Sequence, residues 1–234
     1  MCPEKSPIVT CRGITKRYGR GELKVMALNG VDLDIYPGDF ATLAGPSGSG
    51  KTTLLNMIGG LDAPTDGQVS LDGQELANLS KTELADMRLH KVGFVFQAYN
   101  LVPVLSAVEN IEFILRLAGV DATERHQRAM DALAEVGLQG LEDRRPSHLS
   151  GGQQQRVAVA RALIGRPSIV LADEPTANLD SKTAEELIDL MSDLNTEQGI
   201  TFLMGTHDAR VINRSRRHIE MTDGRIASDE RRPS

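Results

Sequence analysis

A glycine-rich run at residues 45–53 restricts the possible folds of this chain more than any other segment. It matches the phosphate-loop pattern G-x-x-x-x-G-K-[ST] and consists of Gly45, Pro46, Ser47, Gly48, Ser49, Gly50, Lys51, Thr52 and Thr53. Its glycines allow backbone N–H groups to turn inward around phosphate oxygens. An apolar run at 40–44 precedes it and a helical pattern at 53–58 follows it, as such a loop requires. The segment therefore predicts a nucleotide site rather than an ordinary surface turn.

Two side chains of this run have the chemistry that phosphates require. The helix that begins near Lys51 directs the positive end of its dipole at the loop, and the ammonium group can reach the β- and γ-phosphates. The hydroxyl of Thr52 suits the coordination shell of Mg²⁺. A nucleotide bound together with Mg²⁺ is therefore predicted.

The composition limits the classes of protein to consider. Of the 234 residues, 40% are hydrophobic and 25% are charged, as in a globular protein with its own core. A net charge of −6 argues against a nucleic-acid partner. No apolar run approaches the roughly 18 residues of a membrane span, and the N-terminus has no recognisable secretory signal. Cys2 and Cys11 lack metal-binding spacing and are expected to be thiols, so a cytoplasmic location is predicted.

Alternating residues predict an antiparallel sheet in the first third of the chain. Residues 8–12 are interpreted as an edge strand, 31–35 as a half-solvated strand and 68–71 as a third antiparallel strand. Near the C-terminus, Asp223-Gly224 predicts a hairpin turn, and the polar residues 228–234 are expected to be frayed.

A second, parallel sheet is predicted from four apolar runs, which are typical of strands buried on both faces. These runs are residues 40–44, 92–96, 169–172 and 201–205. An i, i+3, i+4, i+7 stripe of apolar residues after the third run predicts a helix. Between residues 98 and 150 the pattern predicts helices and loops and no strand.

Asp173 and Glu174 follow the run 169–172, at the carboxyl end of a strand, where α/β sheets bind ligands. One carboxylate there can hold Mg²⁺, and its neighbour can polarise an attacking water. An acidic pair before a proline is often only a solvated strand end. The phosphate loop in the same chain favours the functional interpretation.

A second segment that could receive an anion precedes a helical pattern and consists of Ser150, Gly151, Gly152 and Gln153. The alternative is an ordinary serine N-cap beside a Gly-Gly turn. The residues alone favour neither interpretation.

Six segments, in their order and approximate spacing, resemble those of the ATP-binding subunits of ABC transporters. They are 45–53, Gln97, 149–153, 169–174, 177–180 and 206–207. The resemblance covers essentially the whole chain. Residues 59–62, 94–97 and 172–180 further resemble the branch that releases lipoproteins, exports macrolides or acts in cell division.

The resemblance implies an α/β fold of the P-loop NTPase type, with a RecA-like parallel core sheet, an antiparallel β subdomain and an inserted α-helical subdomain. The whole chain, 1–234, would be a single ABC ATPase domain. Residues 1–97 and 165–234 would form the core with its antiparallel subdomain, and 98–164 the helical subdomain.

The resemblance also implies roles for residues within one subunit. Lys51 and the loop amides would bind the β- and γ-phosphates of ATP. The residues that would hold Mg²⁺ are Thr52, Gln97 and Asp173. Glu174 would be the general base for the attacking water, and His207 would contact the γ-phosphate and sense its loss.

Other implied roles are shared between two subunits. Ser150 and Gly152, in the segment that includes Gly151 and Gln153, would contact the γ-phosphate of ATP held by the other subunit. This requires a head-to-tail homodimer in the ATP state. Asp180 would couple the two sites across that interface.

Tyr18 is the favoured platform for adenine, because it lies upstream of the phosphate loop, where the family places its stacking aromatic residue. Aromatic residues make up only 3% of the chain, so the remaining candidates are few, and Tyr36 and Tyr99 are the alternatives.

Two positions depart from the family pattern. Gly205 stands where relatives usually carry an apolar β-branched residue, and Ala177 replaces a glycine that is frequent in the branch. Both are expected to affect coupling rather than hydrolysis. The apolar segment 98–105 has two interpretations: it packs in the core of the helical subdomain, or it forms a groove for a short helix of a membrane partner.

The implied function is hydrolysis of Mg-ATP to drive a separate integral membrane permease from the inner face of the membrane. Export or extraction of lipoprotein, lipid, peptide or drug fits the branch. The alternative is an ATPase that regulates a membrane-anchored cell-envelope or cell-division complex without transport. An ATPase acting on DNA or ribosomes is disfavoured, because it would need a coiled-coil arm or a second fused copy and because the chain is acidic.

Overall fold

The computed structural model describes residues 6–19 and 24–232, which form two β-sheets and seven α-helices. The strands are β1 (Val9–Tyr18), β2 (Val25–Ile35), β3 (Phe40–Ala44), β4 (Asp66–Leu71), β5 (Gln74–Glu75), β6 (Val92–Phe96), β7 (Ile169–Asp173), β8 (Phe202–Thr206), β9 (Arg217–Thr222) and β10 (Arg225–Arg231). The helices are α1 (Lys51–Ile58), α2 (Lys81–Lys91), α3 (Ala107–Leu117), α4 (Ala122–Glu135), α5 (Gly151–Leu163), α6 (Ser181–Gln198) and α7 (Ala209–Arg214).

The first sheet is antiparallel where the sequence predicted it, with strand order β2-β1-β4-β5. The prediction that residues 8–12 form an edge strand is wrong, because β1 pairs with β2 on one side and with β4 on the other. Its alternation arises because Val9, Cys11 and Ile14 face the core while their neighbours face solvent. Alternation reports which face of a strand is buried and carries no information about its hydrogen-bonded edges.

The second sheet has the order β10-β9-β3-β8-β7-β6. β3 lies between β8 and β9 and pairs parallel with both, and β7 pairs parallel with β8 and β6. Every residue of β3 and β8 is buried, because helices or the other sheet cover both faces. This arrangement brings the carboxyl ends of β3, β7 and β8, and the loops that follow them, to one edge of the sheet.

The C-terminal segment is ordered further than expected. Residues 228–231 were predicted to be frayed, but they belong to β10, in which Arg231 lies opposite Arg217 of β9. The guanidinium group of Arg231 also donates to Asp39 over 2.9 Å. Polarity suggested fraying, whereas these charged side chains are held by pairing and by ion pairs. Residues 233–234 lie outside the described ranges.

Helices α3, α4 and α5 lie between β6 and β7, and the described residues of that interval contain no strand. Their apolar faces form a core of their own, which includes Ile111, Leu133 and Val157. The division of the chain at residues 98 and 164 remains a prediction.

None of the helices within the described ranges combines the length and the apolar composition needed to cross a membrane. Cys11 is buried and free, and its burial raises the pKa of the thiol to about 12, so the group is protonated at neutral pH. Cys2 lies outside the described residues.

Arg217 of β9 is the buried centre of an ion-pair network that joins Asp39, just before β3, to Asp229 of β10. Its guanidinium group contacts Asp39 over 2.7 Å and Asp229 over 2.6 Å, and the side chains of Arg217 and Asp39 are each only 7% exposed. Arg231 completes the network from the surface. Removing only one partner of such a buried ion pair strongly destabilises the fold, because the other charge remains buried without a partner.

We therefore expect Arg217→Ala to lower the free energy of unfolding by about 3 kcal/mol, measured by urea denaturation, because Asp39 would lose its buried partner. Arg145→Ala is the matched control, because Arg145 is exposed and has no ion pair in the described part of the chain. Its effect should stay within about 0.5 kcal/mol. Equal effects of the two substitutions would contradict this account.

Candidate active site

The phosphate loop connects β3 to α1, and its backbone requires glycine at two positions. Gly45 and Gly50 have φ values of 149° and 105°, which other residues rarely adopt. A Cβ at Gly45 would lie 2.2 Å from the carbonyl oxygen of Met221, and one at Gly50 would lie 2.6 Å from another carbonyl oxygen. The N–H of Gly224 also donates to the Ser49 carbonyl over 3.1 Å. The loop therefore packs directly against the backbone of the β9–β10 hairpin.

A buried cation lies at the end of this loop. Lys51 is 7% exposed, and its Nζ donates to the carbonyl oxygens of Gly45 over 2.7 Å and Pro46 over 3.1 Å. No carboxylate lies within ion-pair distance of it in the described ranges. The hydroxyl of Ser49 is also buried and has no hydrogen-bond partner. A buried ammonium group and an unsatisfied hydroxyl on a glycine-rich loop before a helix are features expected of an anion site.

Thr52 and Asp173 connect α1 to the end of β7. The Thr52 hydroxyl lies 2.9 Å from one carboxylate oxygen of Asp173 and 3.1 Å from the other. Burial raises the pKa of Asp173, as does the neighbouring charge of Glu174, whereas the hydrogen bond from Thr52 and the charge of Lys51 act in the opposite direction. The ionised carboxylate is thus held at an energetic cost that a nearby cation would relieve.

The Thr52–Asp173 pair fits Mg²⁺ in the way in which this ion is commonly bound beside phosphates. It offers hard oxygen donors, and Mg²⁺ typically takes one or two carboxylates and completes its octahedron with water and phosphate oxygens. No group of three His, Cys, Asp or Glu side chains suited to a metal occurs in the described part of the chain, so an all-protein metal cage is not present there. Gln97 directly follows Phe96, which lies opposite Asp173 in the β6–β7 register.

Glu174 is held in a strained conformation beside β8. Its φ is +48°, and its N–H donates to the Gly205 carbonyl over 2.8 Å. One carboxylate oxygen lies 2.8 Å from Nδ1 of His207, and the other accepts a hydrogen bond from Thr206 over 3.3 Å. His207 is 71% exposed on its other faces. The carboxylate is thus fixed at both oxygens while the imidazole remains open to solvent.

Ser150 is the N-cap of α5, and Gly151, Gly152 and Gln153 form the first turn of that helix. Ser150 Oγ accepts from the Gln153 N–H over 3.3 Å, and the Gln153 side chain accepts from the Ser150 N–H over 2.9 Å, which is a capping box. A Cβ at Gly152 would lie 2.1 Å from the Thr183 methyl group, so α5 packs closely on α6. Within the described ranges, no hydrogen bond or ion pair joins this segment to the phosphate loop.

Asp180 begins α6 next to that segment. Its carboxylate accepts from the backbone N–H of Thr183 over 3.0 Å and from the Thr183 hydroxyl over 2.6 Å. These bonds lower the pKa of Asp180, so it is ionised at neutral pH. Ser150 and Asp180 therefore form a second cluster at the N-termini of two packed helices.

Among the candidates for adenine stacking, Tyr18 has a partly exposed ring whose position is fixed by contacts with Asp62 and Lys16. It is 42% exposed, and its hydroxyl donates to Asp62 over 2.8 Å. The ammonium group of Lys16 lies 5.0 Å from the ring centroid and 2.7 Å from Asp62. By contrast, the ring of Tyr36 lies beside the guanidinium group of Arg231, at 5.6 Å.

An apolar groove of about 690 Å³ lies between α2, β6 and the helical part of the chain. Its lining includes Leu61, Leu89, Phe94, Phe96, Ile114 and Leu117. The segment 98–105 contributes Asn100 to this lining, whereas Leu101 packs against the core of the helices. Leu101 therefore packs in the core of the helical part, as the first interpretation expected, whereas the binding of a partner helix in the groove remains a prediction.

The chain matches known proteins along most of its length. The family model described as "ABC transporter" matches residues 28–177, which include the phosphate loop, Gln97, the start of α5 and both carboxylates. The chain belongs to the ABC transporter family. An uncharacterized ABC transporter ATP-binding protein of Thermotoga maritima is 48% identical over 219 residues, which are 94% of this chain and 93% of the relative.

Longer relatives and solved structures agree with this assignment. The macrolide export ATP-binding/permease protein MacB of Marinobacter nauticus is 46% identical over 95% of this chain, which spans only 34% of MacB. A dimeric, post-hydrolysis structure of the ATP-binding cassette MJ0796 bound to ADP and Pi is 43% identical, with a TM-score of 0.89, over 97% of this chain and 99% of that one. The predicted α/β P-loop fold is confirmed, and the chain is an ABC-type ATPase.

The two departures from the family pattern differ in their surroundings. Gly205 of this cassette is buried, and a Cβ there would lie 3.0 Å from Leu55 and 3.2 Å from a carboxylate oxygen of Asp173. A branched side chain at 205 would therefore press on Asp173. Ala177 is exposed and makes no comparable contact.

Several residues that contact the predicted site residues were not identified from the sequence. Thr206 binds Glu174, Asp62 binds Tyr18, and Asn178 donates to the main-chain oxygen of Gln97 over 2.9 Å. All three lie in segments that the resemblance included. Their hydrogen-bond partners are 32, 44 and 81 residues away, and no local pattern signals such pairs.

The opposite pKa shifts of two aspartates in this cassette predict opposite effects of amide substitution. Because burial raises the pKa of Asp173 above its ordinary value of 3.8, the ionised group disfavours folding at pH 7. Asp173→Asn should therefore raise the melting temperature of the nucleotide-free protein at pH 7, and the gain should shrink as the pH falls towards 3.8.

Asp208→Asn is the matched control with the opposite sign. The hydrogen bonds from Arg210 lower the pKa of Asp208 from 3.8 to about 2, so the ionised carboxylate stabilises the fold above pH 3.8. This variant should be less stable at pH 7, and the stability that the wild type draws from Asp208 is lost as the pH falls from about 3.8 to about 2. Melting curves between pH 3 and pH 8 test both; the same sign for both variants at pH 7 would contradict the assignment.

Proposed function

We propose that this chain hydrolyses Mg-ATP at two composite sites of a head-to-tail homodimer and thereby drives a separate membrane permease. The observation that carries this proposal is the separation of two sets of residues. Lys51, Asp173 and Glu174 lie at one edge of the parallel sheet, whereas Ser150 and Asp180 lie at the N-termini of α5 and α6. A second copy would bring the second set to the first.

Within one subunit, the phosphate loop binds the β- and γ-phosphates. The ammonium group of Lys51, whose partners among the described residues are carbonyl oxygens and not carboxylates, is available to the phosphate charge. The buried hydroxyl of Ser49 and the loop amides add donors. Tyr18, fixed by Asp62 and Lys16, offers its exposed face to the adenine.

Thr52, Gln97 and Asp173 hold Mg²⁺, which when bound would neutralise charge on the phosphates. Thr52 and Asp173 already share a hydrogen bond, so their oxygens lie close enough to serve one ion. The raised pKa of Asp173 supports this role, because a cation would stabilise the carboxylate that burial disfavours.

Glu174 accepts the proton of the attacking water. Each of its oxygens accepts one hydrogen bond, from His207 or from Thr206, and therefore keeps a lone pair for that proton. With Glu174 ionised, Nδ1 of His207 is the donor to it, and Nε2 would donate to the γ-phosphate when the imidazole carries both protons. His207 thus links the position of the base to the presence of that phosphate.

The second subunit completes each site. Ser150, with Gly151, Gly152 and Gln153, presents the N-terminus of α5 to the γ-phosphate, and the helix dipole favours that anion. Asp180 couples the two sites from the start of α6. Residues 98–164 act as the helical subdomain that carries Ser150. The dimeric state described for MJ0796, which is 43% identical, supports this arrangement.

The partner is a permease that docks from the membrane. The exposed apolar groove suits a short amphipathic helix, and the described residues contain no helix able to span a membrane. In MacB an ATP-binding part and a permease belong to one protein, and this chain spans about a third of it. Export or extraction of lipoprotein, lipid, peptide or drug from the inner face of the membrane is the function that fits.

Glu174→Gln tests the base. The substitution preserves the size of the side chain but cannot accept the proton, so ATP turnover should fall by at least ~100-fold, while ATP binding is retained and an ATP-dependent dimer accumulates in size-exclusion chromatography. Glu185→Gln on the exposed face of α6 is the matched control and should leave turnover unchanged. Near-normal turnover of Glu174→Gln would remove Glu174 from this role.

Mixed dimers test the head-to-tail arrangement. With Lys51→Ala on one protomer and Ser150→Ala on the other, both lesions fall in one composite site and the second site remains intact. With both substitutions on the same protomer, each site carries one lesion. ATPase activity should therefore be higher for the first mixed dimer than for the second. The reverse order would mean that each subunit uses its own Ser150.

A further inference from the structure

The segment that follows β6 contains a rare backbone conformation. Tyr99 and Asn100 are consecutive and have φ values of 59° and 50°, although neither is glycine. Residues other than glycine adopt this left-handed region as isolated exceptions, and they remain there only when their surroundings hold them. Gln97 lies two residues before Tyr99, so the path of the chain at 99–100 constrains the peptide that carries Gln97.

Arg161 of α5 holds this conformation by its two terminal nitrogens. Nη2 donates to the carbonyl oxygen of Tyr99 over 2.9 Å, and Nη1 donates to that of Asn100 over 2.6 Å. The planar fork of a guanidinium group presents two terminal nitrogens in fixed directions to two neighbouring carbonyl oxygens, whereas the ammonium group of a lysine is a single donor atom on a flexible stem and imposes no such direction. The arginine thus selects a backbone in which both carbonyl groups point to α5.

In the described part of the chain, the guanidinium group of Arg161 has no hydrogen-bond partners other than these two carbonyl oxygens. No carboxylate lies within ion-pair distance of it there, and partial burial lowers the pKa of its guanidinium group. Arg156, five residues earlier on the same helix, differs in this respect: it donates to the carbonyl oxygen of Val136 over 3.0 Å and pairs with Glu186 over 3.3 Å. Arg156 therefore braces the helices, whereas Arg161 is committed to the segment after Gln97.

Two more side chains hold the backbone around Gln97. Gln155 of α5 donates to the Pro175 carbonyl over 2.8 Å and, more weakly, to that of Phe96 over 3.4 Å. Asn178 donates to the Gln97 carbonyl over 2.9 Å. The peptides on both sides of the Gln97 side chain are thus attached to neighbouring elements through their carbonyl groups, and Arg161 provides the only charged attachment among these bonds.

We propose that Arg161 is a positioning residue for Gln97: by binding the carbonyl groups of Tyr99 and Asn100, it fixes the backbone from which Gln97 reaches the Mg²⁺ site. This inference rests on the proposed function of Gln97 as a magnesium ligand. Arg161 itself contacts neither nucleotide nor metal. Without it, residues 99–100 relax towards ordinary φ values and the Gln97 side chain is displaced from Thr52 and Asp173.

The test compares Arg161→Met, Arg161→Lys and the matched control Arg156→Met in the full chain. Affinity for ATP is measured by fluorescence titration in EDTA and then at increasing Mg²⁺, together with steady-state turnover. Arg161→Met should leave affinity in EDTA unchanged, raise the Mg²⁺ concentration for half-maximal tightening about fivefold and lower kcat about tenfold. Arg161→Lys should be intermediate, and Arg156→Met should lower the melting temperature without changing the Mg²⁺ dependence.

Two further measurements keep the inference open to refutation. In a Gln97→Ala background, Arg161→Met should cause no additional change in Mg²⁺ dependence, and amide hydrogen exchange at Tyr99 and Asn100 should accelerate in Arg161→Met with or without Gln97.

If Arg161→Met does not fold, Arg161→Lys carries the same comparison. An unchanged Mg²⁺ dependence in folded Arg161 variants, when Gln97→Ala does change it, overturns the positioning role alone. If Gln97→Ala itself has no effect on Mg²⁺ dependence, the proposed function of Gln97 is wrong and this inference falls with it.

Discussion

Direct contact between backbones is the constraint on which the rest of the site depends. The phosphate loop approaches the β9–β10 hairpin so closely that Gly45 cannot carry a Cβ, and the N–H of Gly224 binds the loop from the hairpin side. The strand before the loop, β3, is buried on both faces, and its position in the sheet determines where the loop begins. Because β7 and β8 run parallel to β3, the same sheet edge also receives Asp173, Glu174 and the segment with His207. The positions of these charged groups are therefore consequences of main-chain packing.

Helix α5 connects the two halves of the molecule more directly than any other element. Its first residue is capped by Ser150, its middle carries Gln155 towards Phe96 and Pro175, and its last turn carries Arg161 towards the segment after Gln97. A rigid helix with these three attachments moves them together. The N-terminus of α5 at Ser150 and the backbone on either side of Gln97 are therefore attached to the same helix.

The sequence predicted most of the strands and the phosphate loop, because these follow from local patterns, whereas the roles of the site residues remain predictions. Continuous apolar runs identified β3, β6, β7 and β8, and the glycine spacing of the loop identified the strand–loop–helix unit. The errors concern pairing. Whether β1 has one neighbour or two, and whether residues 228–231 extend β10, depends on distant partners such as β4 and Asp39. For the same reason Arg161 was not identified, since its carbonyl partners lie 61 and 62 residues away and carry no side-chain signal.

The contact of the phosphate loop with the C-terminal hairpin also has a consequence for biosynthesis. The loop occupies residues 45–53, yet one of its walls is supplied by Met221 and Gly224, which the ribosome adds long after the loop itself. Chains fold progressively from the N-terminus as they emerge, so the nascent loop lacks its wall until the β9–β10 hairpin has been made. Nucleotide can therefore stabilise the complete loop only after Met221 and Gly224 have been added.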